Sequence, residues 1–343
     1  MLAAALVPAC ATTLPGGDLG ESDTSADAGS PALAVLPGCM PFHALAGVDA
    51  VTGGMRSITE PDGSVLFIAD DAVAGTTDVP ALALSAPASV TVADCLAAAI
   101  VPGTAPASAV DPPTLTPLSG VTVATTTLLY YVDPTYGSVG VSAQSPTDGL
   151  FRPIGSLLWT FDRPEYGTAA VASGGDIYAI GCISDRFLDA DCYVAQVASA
   201  PSSSTGDESQ YGYYIGAGAW SPRVDDAWPV TSGGTAMDVA WLAGPGRWLM
   251  AFVSPLGTTI EVRSGLTPEG PWSAPISLGT CDLADPDMFC GNIHLHPQVA
   301  VPAGSVALSY AAASLSSDVA SRQAAEPDKW WPRVVALTLP TLP

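Results

Sequence analysis

Arg247-Trp248-Leu249-Met250-Ala251-Phe252-Val253, then Ser254-Pro255-Leu256-Gly257, then Thr258-Thr259-Ile260-Glu261-Val262-Arg263, and last Gly270-Pro271-Trp272-Ser273-Ala274-Pro275 decide how this chain is read. The first run is aromatic and apolar without interruption. The second breaks it, the third alternates at period two, and the fourth turns a corner on glycine, proline and tryptophan. Strand, short turn, strand and corner make the antiparallel hairpin from which β-propeller blades are built.

Comparable strand signals recur on both sides of that segment. Gly63 to Asp71 follows the turn Glu60-Pro61-Asp62-Gly63; Thr127–Val132 and Gly140–Gln144 form a second unit; Thr168–Ala172, Asp176–Gly181 and Tyr193–Val197 form a third. The quoted segment with Met237–Trp241 is the fourth, and Pro297–Val301, Val306–Tyr310 and Val334–Leu339 are the fifth. Five units fit the length, so the expected fold is an all-β, five-bladed β-propeller over residues 37–343. Ala93 to Ile100 and Ser316 to Ala325 are expected as single helical turns or loops.

Composition narrows the partners. The 34 glycines and 32 prolines among 343 residues suit many short strands and tight turns. Beyond the N-terminus no apolar run reaches the roughly 18 residues of a membrane span. A net charge of −23 with ten basic residues, Lys329 the single lysine, excludes nucleic acid, because binding a phosphate backbone requires cations to replace its counterions. The acidity is expected to serve solubility in an exterior compartment, or else to bind cations.

Six of the seven cysteines fall into neighbouring pairs, Cys39 with Cys95, Cys182 with Cys192 and Cys281 with Cys290, each closing a loop that a disulfide would staple in an exported protein. Cys10 is left over. It ends the apolar run from Met1, with Ala9 before it, as at the end of a lipoprotein signal segment; no Lys or Arg precedes the run, so residues 1–10 are read as a trimmed signal segment with Cys10 lipidated, or else Cys10 is a free buried thiol. Residues 11–36 are small, polar and acidic and are expected to be a disordered tether. The protein is therefore expected outside the cytoplasm, touching membrane only through a lipid anchor, in periplasm or at the cell surface, and as a monomer.

Tyr211-Gly212-Tyr213-Tyr214, Gly218-Ala219-Trp220-Ser221, Arg247-Trp248-Leu249-Met250, Gly270-Pro271-Trp272-Ser273, His296-Pro297 and Trp331-Pro332-Arg333-Val334-Val335 occur in this order. The set, spread over roughly residues 45–340, resembles the domain of unknown function family 4185, which looks like a five-bladed propeller related to arabinanase-type glycosidases and includes endo-D-arabinanases. The resemblance implies two catalytic aspartates, one on each side of a Pro-Asp-Gly turn. Pro61-Asp62-Gly63 matches the turn and Asp71 falls on the second aspartate, with Asp70 in place of a glycine. The first is missing from its register, where Gly53-Gly54-Met55-Arg56-Ser57 stands; Asp49 lies four residues earlier.

Glycoside hydrolysis asks for a carboxylic acid to protonate the leaving oxygen and a carboxylate on the other face of the sugar. A propeller brings such groups together at its axis, so Glu165, Asp238 and Asp133 are candidate partners of Asp71 besides Asp49. Asp70 and Asp71 read equally as a turn-capping pair at a strand end, and Glu165 as a solvated loop residue. His296, extended before proline, is the histidine expected at the axis if it is not a structural one, with His294 on its strand face. Trp220 and Trp228 flank Asp225-Asp226 in a loop suited to stacking on sugar rings, whereas Trp248 and Trp272 read as core. No zinc spacing, nucleophile elbow, P-loop, dinucleotide fingerprint or EF-hand occurs, so no cofactor or metal is expected, calcium on aspartates alone being the one left open. Carbohydrate is the expected partner, either cleaved by a glycoside hydrolase or held by a non-catalytic surface lipoprotein descended from one; a scaffold or adhesion lipoprotein is the third reading.

Overall fold

The computed structural model describes residues 50, 51, 53–74, 77–86, 108–186, 189–200, 202–340 and 342. Residues 1–49, with Cys10, Cys39, Asp49 and the tether, lie outside the described residues, as do Cys95 and the stretch 93–100.

The described strands form five antiparallel sheets. The first holds β1 (Ala50–Val51), β2 (Met55–Thr59), β3 (Val65–Ala74) and β4 (Thr77–Ala86). The second is a meander of β5 (Thr116–Val123), β6 (Thr126–Asp133), β7 (Ser138–Gln144) and β8 (Phe151–Thr160). The third runs β9 (Ala169–Ser173), β10 (Asp176–Arg186) and β11 (Asp189–Ala198), extended by β12 (Gly212–Tyr214), β13 (Trp220–Ser221) and β14 (Thr231–Gly233). The fourth is β15 (Ala236–Leu242), β16 (Arg247–Val253), β17 (Thr259–Gly265) and β18 (Ile276–Thr280), and the fifth is β19 (Met288–His296), β20 (Ser305–Ser314) and β21 (Arg333–Thr338). The innermost strands β2, β5, β9, β15 and β19 touch in that order, and β19 returns to β2. The fold is an all-β propeller. Among the described residues no helix is long and apolar enough to cross a membrane.

Stacking of sheets explains the deciding segment. β16 lies between β15 and β17, and its alternate side chains enter two different cores. Trp248, Met250 and Phe252 join Ile180, Cys182 and Val194 of the third sheet; Leu249, Ala251 and Val253 join Ile293, Leu295 and Leu308 of the fifth. A strand buried on both faces reads as an unbroken apolar run. β6 is built the same way, with Leu128 and Tyr130 in the core shared with the third sheet and Leu129 and Tyr131 in the core shared with the first. β17 alternates as expected.

Among the described residues two disulfides close short loops, Cys182–Cys192 between directly paired positions of β10 and β11, and Cys281–Cys290 between the fourth and fifth sheets. The helical turn expected within 316–325 is the helix α1, Val319–Ala325.

Two strand readings need correction. Pro297–Val301 is not a strand: residues 297–299 form a turn, and the inner strand of the fifth sheet is β19, just before it. Gly291-Asn292 and two histidines hide the alternation of β19, and a register shift between Gly291 and His294 takes up one extra residue as a bulge. Asp70 and Asp71 do not end a strand either. Aspartate is a poor strand former, but β3 runs through both to Ala74 because β4 pairs with it beyond that point, Ala72 opposite Val79 and Val73 opposite Asp78.

Candidate active site

β9 is entered through Arg163-Pro164-Glu165-Tyr166-Gly167, in which Pro164, Tyr166 and Gly167 are buried and Glu165 between them is exposed. The Tyr166 ring packs 4.9 Å from Trp159 and 5.7 Å from Tyr213. Gly167 has φ +97°, and its carbonyl accepts a 2.6 Å hydrogen bond from the buried Ser119 hydroxyl. The Glu165 and Gly167 amides donate to the Cys182 and Ile180 carbonyls of β10 at 3.3 and 3.2 Å. Gly181 lies between those acceptors, and a Cβ there would come within 2.2 Å of the Glu165 backbone. The carboxylate thus stands on a loop fixed from both sides. Gly181→Ala is accordingly expected to lift the loop off β10, costing about 1–3 kcal/mol of stability in urea melts; an unchanged midpoint would show that the loop is not so tightly seated.

Glu165 faces a pocket of about 620 Å³ walled by the third, fourth and fifth sheets, with Arg163, Ser184, Leu256, Phe289 and Asn292 around it. Its side chain keeps contact with solvent while protein surrounds it, as on the wall of a cleft. Removal from bulk water raises its pKa above the usual glutamate range, opposed by the Thr168 hydroxyl, which donates to Oε2 at 3.1 Å, and by the positive charge of Arg56. An accessible carboxyl that holds its proton longer than usual suits a general acid.

Arg56, His294 and Asp238 come from β2, β19 and β15 and line the axial channel together. Arg56 Nη2 lies 3.5 Å from His294 Nε2, and His294 Nδ1 lies 3.8 Å from Asp238 Oδ2. Burial and the Arg56 charge lower the His294 pKa more than Asp238 restores it, so the ring is neutral. With the guanidinium facing Nε2, the fitting tautomer carries its proton on Nδ1, toward Asp238. Asp238 also accepts from the backbone amides of Val239 at 2.7 Å and Leu295 at 2.8 Å, which joins the fourth and fifth sheets. Gly54 closes the group: a Cβ there would lie 2.6 Å from His294 Nε2.

His296 sits beside this layer, wholly buried, at the seam of the fifth and first sheets. Ser309 donates its hydroxyl proton to the Met55 carbonyl, so His296 Nε2, 2.9 Å away, must donate to Ser309 and Nδ1 must accept from Ser57 at 2.6 Å. Both ring nitrogens are used within the protein. Burial and the neighbouring His294 push its pKa down to about 3.

Asp71 and Asp70 lie on β3, the second strand of the first sheet. Asp133 ends β6, where its carboxylate accepts the Thr135 amide at 2.9 Å and caps its own turn. Trp220 lies on β13, away from the channel, half-buried against Tyr214 and Tyr178. Trp248 is buried, and Trp272 packs on the same core. Among the described residues no group of three or more His, Cys, Asp or Glu side chains is placed to hold a metal. Sequence reasoning passed over Arg56 and Thr168. An arginine inside the five-residue strand Met55–Thr59 was a visible signal for the first; Thr168, three residues after the acid, carried none.

Residues 141–323, more than half of the chain, match the family model described as Domain of unknown function (DUF4185), and the chain belongs to that family. A protein of Bacteroides ovatus ATCC 8483 that carries a provisional hydrolase description is similar, with TM-score 0.63 and 11% identity over 89% of this chain and 93% of that one. A family 43 β-xylosidase/α-arabinofuranosidase from a compost microbial metagenome, solved with xylotriose, has TM-score 0.49 and 11% identity over 84% and 91% of the two chains. An α-L-arabinofuranosidase of Clostridium thermocellum ATCC 27405 has TM-score 0.47 and 12% identity over 84% and 90%. No curated protein matches the chain. At 11% identity the first likeness is one of fold alone.

Proposed function

We propose that this protein is an exported glycoside hydrolase that cleaves a cell-envelope or environmental polysaccharide, a furanose polymer such as arabinan among the candidates. The five sheets serve as five blades of an arabinanase-type propeller. One observation carries the reading: Glu165 is accessible, raised in pKa and held on a rigid loop at the wall of the pocket between the third, fourth and fifth sheets. In this reading its carboxyl protonates the leaving glycosidic oxygen, and Asp71 or Asp49 supplies the second carboxylate as base or nucleophile on the opposite face of the sugar. Arg56, in the neighbouring axial channel, acts on Glu165 by charge and is linked to Asp238 through His294. Cys10 carries a lipid anchor, and the folded part works as a monomer.

A second reading has its own support. Gly53 falls where the family resemblance expects the first aspartate, so no carboxylate stands in that register. A propeller that binds glycan without cutting it would look the same. Reducing-end release from arabinan, arabinogalactan and arabinoxylan by the full chain, repeated with Asp71→Asn and Asp49→Asn, separates the two. Cleavage abolished by either substitution supports the hydrolase; glycan binding by calorimetry with no reducing ends released overturns it in favour of the binding protein.

A further inference from the structure

The insertion in the third sheet carries a second pocket, of about 620 Å³, lined by Ile215, Trp220, Pro222, Asp225, Asp226 and Trp228. Its central feature is Trp228, which is 64% exposed. An exposed tryptophan by itself means little, but this one is held. Its amide donates to the Tyr214 carbonyl at 2.9 Å, and its neighbour Ala227 packs on the main core of the second and third sheets. One side of the indole rests on Gly216, at φ +92°, where a Cβ would lie 3.3 Å from the ring. The turn carrying Gly216 is closed by the Ile215 amide on the Ala219 carbonyl, the Ala219 amide on the Gly216 carbonyl and the Gly218 amide on the Tyr214 hydroxyl. Trp220 stands nearby, its ring set edge-on at 5.3 Å from Tyr214. An aromatic ring buttressed on one side and open on the other is a platform.

The polar groups around it have a matching chemistry. Asp226 accepts from the Ser221 hydroxyl at 2.6 Å, and Asp225 pairs with Arg163. Each carboxylate has four lone-pair sites, so both retain capacity for hydroxyl donors after these bonds. An apolar ring face for C–H groups beside carboxylates for O–H groups fits a sugar, and the net charge of −23 disfavours an anionic one. Arg163 also lines the Glu165 pocket, so the ion pair with Asp225 forms the wall between the two pockets.

We propose that Trp228, with Trp220 and Asp226, forms an outlying site for a neutral polysaccharide chain, which holds a polymer whose other end lies in the Glu165 pocket. The proposal rests on the glycan reading for its ligand class but not on cleavage. Affinity gel electrophoresis of the full chain through linear arabinan, arabinoxylan and arabinogalactan tests it, in a Glu165→Gln background so that the polymer survives. Trp228→Ala is expected to weaken retention about tenfold, whereas Tyr136→Ala, which removes an exposed aromatic ring outside both pockets, leaves it unchanged. Equal loss in both variants, or retention unaffected by Trp228→Ala, overturns the proposal, as does a chain retained by none of the three polymers. Turnover measured separately on short soluble oligosaccharides with Glu165 intact should be unaltered by Trp228→Ala while KM on polymer rises. Absence of all turnover with Trp228-dependent retention would leave this site standing and remove the hydrolase.

Discussion

Glu165→Gln is expected to slow glycan cleavage by about 10²–10⁴-fold, the usual contribution of a positioned general acid. Gln keeps the size and the Thr168 contact but has no proton to give. The loss should depend on the leaving group: an aryl glycoside that departs without protonation should be cut by the variant nearly as fast as by the parent, while an arabinan linkage should not. That difference separates an acid from a residue that only shapes the pocket. In the parent, cleavage of the unactivated linkage should fall as pH rises through the elevated pKa of Glu165, and this limb should disappear in the variant. Stability gives an independent check on the same group. Because the folded-state pKa is raised, the native protein binds more protons than the unfolded chain between the two pKa values, so stability falls as pH rises through that window. Gln removes this effect. The variant should match the parent below the window and melt higher than the parent above it; equal melting curves at both pH values would mean that the folded-state pKa is not raised.

How far the sequence speaks depends on the range of the interaction that fixes each element. β16 and β17 are legible because burial on two faces and burial on one face write different periods into a single strand. The pairing of Cys182 with Cys192 is legible because a ten-residue separation leaves room for little but a hairpin. β19 is not, since the alternation of its apolar residues is broken by Gly291-Asn292, and the bulge that repairs it appears only when β20 is alongside. β3 is cut short at Asp71 by propensity, although pairing with β4 carries it on. The site divides along the same line. Glu165 is visible as a carboxylate in a proline- and glycine-bounded segment, but its seating on β10 through Gly181 is a contact between strands. The layer of Arg56, His294 and Asp238 is wholly non-local, the first two being 238 positions apart, and only the closing of the ring brings them together.

Trp159→Ala should cost more stability than Gly181→Ala, about 3–5 kcal/mol, because it removes a fully buried indole from the centre of the core between the second and third sheets. Its ring lies 4.9 Å from both Tyr166 and Tyr211, and its Nε1 donates to the Tyr213 hydroxyl at 2.9 Å. The truncation therefore opens a cavity and removes a buried hydrogen bond together. The urea midpoint should fall with the slope unchanged, since the same surface is exposed on unfolding. Trp159→Phe, which fills most of the space and loses the hydrogen bond, should cost less, nearer about 1–2 kcal/mol. The consequence reaches the site through one residue. Tyr166 is the buried neighbour of Glu165, and a Tyr166 ring free to settle into the vacated space would draw the loop inward and change the angle at which the carboxyl meets the pocket. The alanine variant, assayed at a temperature where it remains folded, should then lose turnover with little change in KM, and the phenylalanine variant should retain both. Full turnover by a folded Trp159→Ala protein would mean that the contacts of the Glu165 loop with β10 and with Ser119 suffice to position the acid without the aromatic core beneath it.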